Sequence, residues 1–229
     1  NGTGLLGDSS STQSAIIVPM PGSTTKYYVF TVTELAKPSG LRYNIVDMTL
    51  EGGTGDVITK NIALLTPTAE KINVVKHAND NDYWVISHKF NNSEFYAYLI
   101  SPAGISAPVI SSVGEIIGGS TQNSLGYLKS SPDGKFIASA NSKPFNSNLQ
   151  IFNFNTTTGG LSLISTTSFP NSTDGIGVYG VEFSNTSNLL YVTNIDYANK
   201  KSQLYQFNLE VPTETAINNS KVLLGEFTG

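Results

Sequence analysis

The chain has 229 residues, of which 39% are hydrophobic and only 13% charged, and its formal net charge is −4. Its Lys and Arg residues are scattered, with Lys200-Lys201 as the one adjacent pair, so the composition excludes the clustered basic surface that holds nucleic acid. The lack of cysteine excludes disulfides and thiolate metal sites, and no apolar run approaches the roughly 20 residues that membrane insertion needs.

Short runs of β-branched and aromatic residues, separated by polar turns, predict four units of four strands each. Before them, residues 1–13 are rich in Gly, Ser and Thr and are predicted to form an irregular loop. In the first two units the predicted strands are 15–18, 27–32, 42–50, 57–65, 72–76, 83–88, 95–100 and 109–117. In the last two units they are 125–130, 136–140, 149–155, 161–167, 178–183, 189–194, 203–209 and 222–227.

The third and fourth units repeat one another. Segments 126–141 (GYLKSSPDGKFIASAN) and 180–194 (GVEFSNTSNLLYVTN) each consist of a strand, a polar turn and a second strand that ends in Asn. A repeat of about fifty residues predicts stacked blades, since one four-stranded sheet cannot bury both of its faces alone. The predicted fold class is therefore all-β, a β-propeller of four-stranded antiparallel blades at approximately 14–66, 70–118, 122–170 and 176–229.

The turn of the second unit, Asn79-Asp80-Asn81-Asp82, gathers side-chain oxygens of the kind that calcium accepts. It lacks the glycine at the sixth position and the bidentate Glu at the twelfth position of an EF-hand loop. The interpretation preferred from the sequence is a hairpin turn stabilised by the Asx side chains. The alternative is a calcium site with Asp80 and Asp82 as ligands.

No motif in the chain predicts catalysis or a cofactor. There is no G-x-S-x-G elbow or cysteine nucleophile, and the glycines of segment 2–7 lack the strand and helix that a dinucleotide site needs. The two histidines, His77 and His88, are interpreted as structural, because no third zinc ligand accompanies them. Trp84 is assigned to packing between blades, with a sugar-stacking platform as the alternative.

Two segments carry a resemblance to a known repeat family. The turn Ser131-Pro132-Asp133-Gly134-Lys135 and the strand Tyr191-Val192-Thr193-Asn194 resemble the YVTN/WD40-like propeller repeats of bacteria. In that family a turn of the SPDGK type precedes a YVTN-like strand. The resemblance spans the second to fourth units and implies a propeller.

A narrower resemblance lies in segments 5–22 (LLGDSSSTQSAIIVPMPG), 40–48 (GLRYNIVDM) and 82–85 (DYWV). These are similar to the propeller region of exported, gliding-motility-associated proteins of Bacteroidetes, which often end in a type B sorting domain of the type IX secretion system. The resemblance implies a secreted or cell-surface bacterial protein with further domains. It also implies that loop 1–13 continues from an upstream blade, within a ring of about seven blades.

Two functions are compatible with this sequence. The first is a non-enzymatic binding or scaffold module whose blade loops hold a protein or glycan partner. The alternative is a propeller enzyme of the lactonase type that acts on a sugar-acid lactone, because YVTN-type propellers resemble such enzymes. Arg42 is the only arginine, which disfavours an arginine-based oxyanion clamp. Fold cannot decide between the two, since function resides in sites placed on folds.

Overall fold

A computed structural model describes residues 1–169, 176–196 and 199–228 of the chain. Its strands form four antiparallel sheets, and each sheet is built from strands that are consecutive in the sequence. This confirms the predicted all-β class and the four blades. The predicted ends of the third and fourth blades, at residues 170 and 229, lie outside the described residues.

Each blade begins with its inner strand and ends with its outer one. The first blade comprises β1 (Ala15–Pro19), β2 (Lys26–Val32), β3 (Leu41–Asp47) and β4 (Asp56–Leu65). The second comprises β5 (Thr68–Lys76), β6 (Tyr83–Lys89), β7 (Asn92–Ser101), β8 (Gly104–Ile105) and β9 (Val109–Ile117). The third comprises β10 (Leu128–Ser130), β11 (Phe136–Asn141), β12 (Ser147–Phe154) and β13 (Leu161–Phe169). The fourth comprises β14 (Gly177–Phe183), β15 (Leu189–Asp196), β16 (Lys201–Asn208) and β17 (Val222–Thr228).

The blades pack face to face through three apolar clusters, one between each pair of neighbours. Between the second and third blades, the rings of Phe95 and Phe152 meet edge to face with centroids 4.8 Å apart. Trp84 belongs to this same cluster, where its ring lies edge-on to Phe154 and its Nε1 donates to the Thr156 carbonyl at 2.8 Å. Its indole is thus used for packing between blades.

The second blade and the end of the fourth contain elements that the sequence analysis did not predict. The short strand β8 pairs with β7 beside β9, as an extra strand of that sheet. Before β17 the chain forms a short helix, α1 (Glu214–Asn219). Its N-cap residue, Thr213, accepts from the Ala216 N–H, and Ile217 within it is buried. Neither this helix nor any other within the described ranges is long and apolar enough to cross a membrane.

Within the described ranges, the two terminal blades each leave one face uncovered. Among the described residues β1 pairs only with β2, and β17 pairs only with β16, so strand pairing does not close a ring. Ile17 on β1 is 63% exposed, and Phe227 on β17 is 70% exposed. Tyr27, Val46 and other apolar side chains line a cavity of about 290 Å³ beside Ile17. The structure is an open arc of four blades.

Candidate functional site

The first strands of successive blades contact one another, so they form the inner edge of the arc: β1 with β5, β5 with β10, and β10 with β14. Polar side chains gather where these strands begin. This inner-edge cluster consists of Thr12, Gln13, Glu70, Lys71 and Tyr179. It joins the loop before the first blade to the other three blades.

Glu70 is a fully buried carboxylate near the start of β5. Its Oε2 accepts from the backbone N–H of Thr12 at 2.6 Å and from the Thr12 hydroxyl at 2.9 Å. Its Oε1 accepts from the backbone N–H of Leu35 at 2.7 Å. These bonds replace the water that the charge loses on burial. Glu70 therefore ties loop 1–13 and the loop between β2 and β3 to the second blade.

Lys71 is fully buried beside Glu70. Its Nζ donates to the carbonyls of Ala140 at 2.5 Å, Gly126 at 2.6 Å and Leu125 at 3.2 Å. Burial lowers the pKa of Lys71 to about 7, while the charge of Glu70 opposes that shift. Three acceptors match the three N–H donors of an ammonium group. The surrounding carbonyls thus favour the protonated form, whereas burial favours the neutral amine.

Gly126 makes this arrangement of carbonyls feasible. Its φ is +105°, and a Cβ at this position would lie 2.2 Å from the Ala140 oxygen and 3.2 Å from the Lys71 Nζ. Only glycine allows so close an approach at this φ. The glycine that opens the repeated segment of the third unit thus makes room for a lysine of the second blade.

A chain of hydrogen bonds leads from Tyr179 to Glu70. The hydroxyl of the partly exposed Tyr179 donates to the Thr12 Oγ1 at 3.3 Å, and Thr12 Oγ1 donates to the Glu70 Oε2 at 2.9 Å. Tyr127 packs edge to face against the Tyr179 ring with centroids 5.7 Å apart. The buried carboxylate is therefore linked through two hydroxyl groups to the surface of the fourth blade.

The two histidines occupy separate places. His88 is buried, its Nδ1 donates to the Lys89 carbonyl at 2.9 Å, and its ring lies edge-on to Phe95. Burial, together with the charge of Lys71, lowers the pKa of His88 to about 3, so the ring is neutral. His77 lies in the turn after β5, where its Nε2 is 3.2 Å from the Thr157 carbonyl. The structure does not bring them together.

Asp80 and Asp82 likewise have different partners. Asn79 Oδ1 accepts from the N–H groups of Asn81 and Asp82, both at 3.0 Å, which forms an Asx turn. Asp82 accepts from the Asn79 amide at 2.8 Å, whereas the exposed Asp80 pairs with Lys76 at 3.2 Å. The described residues contain no group of three His, Cys, Asp or Glu side chains that could hold a metal ion. Calcium binding at this turn stays a prediction.

Sequence reasoning missed the inner-edge cluster. Thr12 and Glu70 are 58 residues apart, and Tyr179 is 167 residues from Thr12, so only the packing of the blades brings them together. The sequence contained one local signal of this cluster. Glu70 and Lys71 directly precede the apolar run of β5 and belong to the same strand. Charged residues at such a place are usually solvated.

No protein-family model and no curated protein matches this sequence. Solved structures do resemble it. A protein from Lactobacillus plantarum superimposes with a TM-score of 0.56 at 17% identity, over 88% of this chain and 54% of that one. The chain thus spans about half the length of that structure.

Two further similar structures are named as lactonases. A putative 6-phosphogluconolactonase from Bacteroides fragilis has a TM-score of 0.55 at 11% identity, over 95% of this chain and 58% of its own. The periplasmic gluconolactonase of Pseudomonas aeruginosa also has a TM-score of 0.55 at 11% identity, over 91% of this chain and 55% of its own. At these identities the likeness shows the fold alone, and it supports a β-propeller.

Proposed function

We propose that these four blades belong to a larger propeller of about seven blades. The four sheets cover 54%, 58% and 55% of the three structures they resemble. If blades are of similar size, dividing four by these fractions gives about seven. The uncovered apolar faces of the first and fourth blades support the same conclusion, since a soluble propeller covers both faces of every blade.

The function proposed for this propeller is hydrolysis of a sugar-acid lactone. The observation that carries it is the hydrogen-bonded chain from Tyr179 through Thr12 to the carboxylate of Glu70. The likeness of the fold to a gluconolactonase and to a putative 6-phosphogluconolactonase agrees with this hypothesis. The sequence is compatible with both a lactonase and a scaffold, and the likeness to these structures favours the lactonase.

The proposed chemistry is a proton relay. A water molecule beside Tyr179 gives a proton to the phenol oxygen, Tyr179 passes its own proton to Thr12, and Thr12 passes one to Glu70. The hydroxide so formed adds to the lactone carbonyl. When the ring C–O bond breaks, the proton on Glu70 returns along the same chain to the leaving oxygen. Glu70 is the base that stores the proton, and Tyr179 is the group that touches water.

The test is the rate of hydrolysis of gluconolactone and 6-phosphogluconolactone by the purified protein at its full natural length. Tyr179→Phe removes the outer hydroxyl of the relay and is expected to lower kcat by about 100-fold. Tyr127→Phe is the matched control, because it removes a neighbouring hydroxyl that takes no part in the relay. Hydrolysis no faster than the spontaneous reaction, or an unaffected Tyr179→Phe variant, would overturn the proposal.

A non-enzymatic binding or scaffold module is the second candidate. One observation favours it: the buried Lys71 and Glu70 both bind backbone groups and hold blades together. A folded protein without lactone hydrolysis would favour this candidate. Its cell-surface location, its type IX export and its protein or glycan partner stay predictions.

A further inference from the structure

The third and fourth blades each contain the same hydrogen bond between an Asn and a Gln side chain. In the third blade Asn141 on β11 donates to the Gln150 Oε1 on β12 at 3.2 Å. In the fourth, Asn194 on β15 donates to the Gln203 Oε1 on β16 at 3.1 Å. These residues are equivalent in the repeat, so the two sites can be compared atom by atom.

In the third blade, protein groups close this site. Ser139 donates to the Asn141 Oδ1 at 2.8 Å. From the second blade Glu115 accepts from Asn148 at 2.8 Å and pairs with the Lys143 Nζ at 2.6 Å. A carboxylate of the preceding blade therefore fills the space in front of the Asn–Gln pair.

In the fourth blade the residues that the structure describes leave the equivalent site open. Val192 stands where the third blade has Ser139, so it offers no hydroxyl to Asn194. Asn194 is 5% exposed, and its Oδ1 has no partner among the residues that the structure describes. Where the third blade has a carboxylate from the preceding blade, the fourth has a cavity of about 520 Å³, whose lining includes Phe169, Asn194, Asp196, Gln203, Tyr205 and Lys221. Its size suits a small ligand.

The ammonium group of Lys221 lies in the same cavity, over two aromatic rings. The Nζ of Lys221 is 3.6 Å from the ring centroid of Phe169 and 4.5 Å from that of Tyr205. Within the described part of the chain it has no carboxylate or carbonyl partner, whereas Lys201 beside it is paired with Glu226 at 2.6 Å. Burial lowers the pKa of Lys221, which reflects the loss of water around this charge.

We propose that this cavity binds an acidic sugar of the uronate class. The carboxylate of the ligand pairs with Lys221, as the carboxylate of Glu115 does with Lys143 in the third blade. A hydroxyl of the ligand donates to the Asn194 Oδ1 and so satisfies the buried acceptor. The proposal does not rest on lactone hydrolysis, because none of these residues belongs to the inner-edge cluster.

Calorimetric titration with D-glucuronate tests this proposal, and D-glucose is the matched neutral sugar. Glucuronate is expected to bind, and glucose is expected to bind at least about tenfold more weakly, because it lacks the carboxylate. Lys221→Met keeps an unbranched side chain over the two rings and is expected to weaken glucuronate binding by about tenfold or more. Lys76→Met, an exposed lysine far from the cavity in sequence, is the control and should bind as the parent does.

Lys221→Gln serves as a second variant should Lys221→Met fail to fold, and melting curves establish folding for each protein. The proposal is wrong if glucuronate does not bind at about 50 mM. It is also wrong if glucose binds equally well, or if both folded Lys221 variants retain the parent affinity.

Discussion

At the scale of single residues, the charges inside this protein hold the blades together. Lys71 comes from the second blade, yet all three carbonyls that it contacts belong to the third blade or to the segment leading into it. Gln13 makes a similar link, since its Oε1 accepts from Leu128 at 2.8 Å and its Nε2 donates to the Leu128 carbonyl at 3.0 Å. Directional bonds of this kind fix the relative position of blades that apolar contacts alone would allow to slide.

Because of His88, the free energy of unfolding of this protein depends on pH. Its pKa is lowered to about 3 in the folded protein and is near 6.5 when unfolded, so between these values the unfolded chain binds the proton and the folded chain does not. The free energy of unfolding therefore falls as the pH decreases through this window, by up to about 1.4 kcal/mol per pH unit from this group. His88→Asn is expected to flatten that fall, as measured by urea unfolding at a series of pH values.

Ser87→Ala is the control for this prediction, because Ser87 is buried next to His88 and does not titrate in this range. It should lower the stability by the same amount at every pH. A His88→Asn curve that runs parallel to the parent curve between about pH 6.5 and 3 would contradict the assignment.

The residues of the candidate site could not be predicted from the sequence, although their chemistry is simple. Glu70 and Lys71 look like an ordinary solvated pair, and the predicted strand began only at Ile72. The structure extends β5 back to Thr68, because the chain there is covered by loop 1–13 and by the third blade. A tertiary contact of this kind leaves no periodic pattern in the sequence.

At the scale of elements, the strands were largely predictable because each is bounded by turn residues with a definite role. Gly134 has φ of +73°, and Asp133 Oδ1 accepts from the Ser131 hydroxyl at 2.7 Å and the Lys135 N–H at 3.2 Å. The helix α1 was missed because its six residues are too few to show a helical period. Its capping residue, Thr213, was the one available signal.

The turn between β10 and β11 allows a test at this scale. Asp133→Ala removes the oxygen that accepts from Ser131 and Lys135, and it is expected to lower the free energy of unfolding by about 1 kcal/mol. Asp133→Asn keeps that oxygen and should lose clearly less. Chemical unfolding of the three proteins measures the difference, and equal losses in both variants would mean that the acceptor oxygen does not stabilise the turn.

At the scale of the whole molecule, the repeat in the sequence predicted the fold class, but it did not predict how the arc ends. The number of blades in the ring is a proposal that depends on the uncovered faces of the first and fourth blades. Apolar residues on an exposed sheet face were indistinguishable in the sequence from those between blades, because both alternate in the same way. The structure separates them: Phe30 on β2 is fully buried, whereas Ile17 on β1 is 63% exposed.

These uncovered faces predict how the 229-residue chain behaves when it is produced alone. Apolar faces of neighbouring copies can cover one another, so the isolated chain is expected to associate with increasing concentration in sedimentation velocity experiments. Ile17→Lys places a charge on the open face of the first blade and should reduce this association. Phe145→Lys is the control, since Phe145 is also 63% exposed but lies in the segment between β11 and β12, away from both terminal faces in sequence. If the chain stays monomeric at all concentrations, or if both variants reduce association equally, the terminal faces are not the positions of further blades.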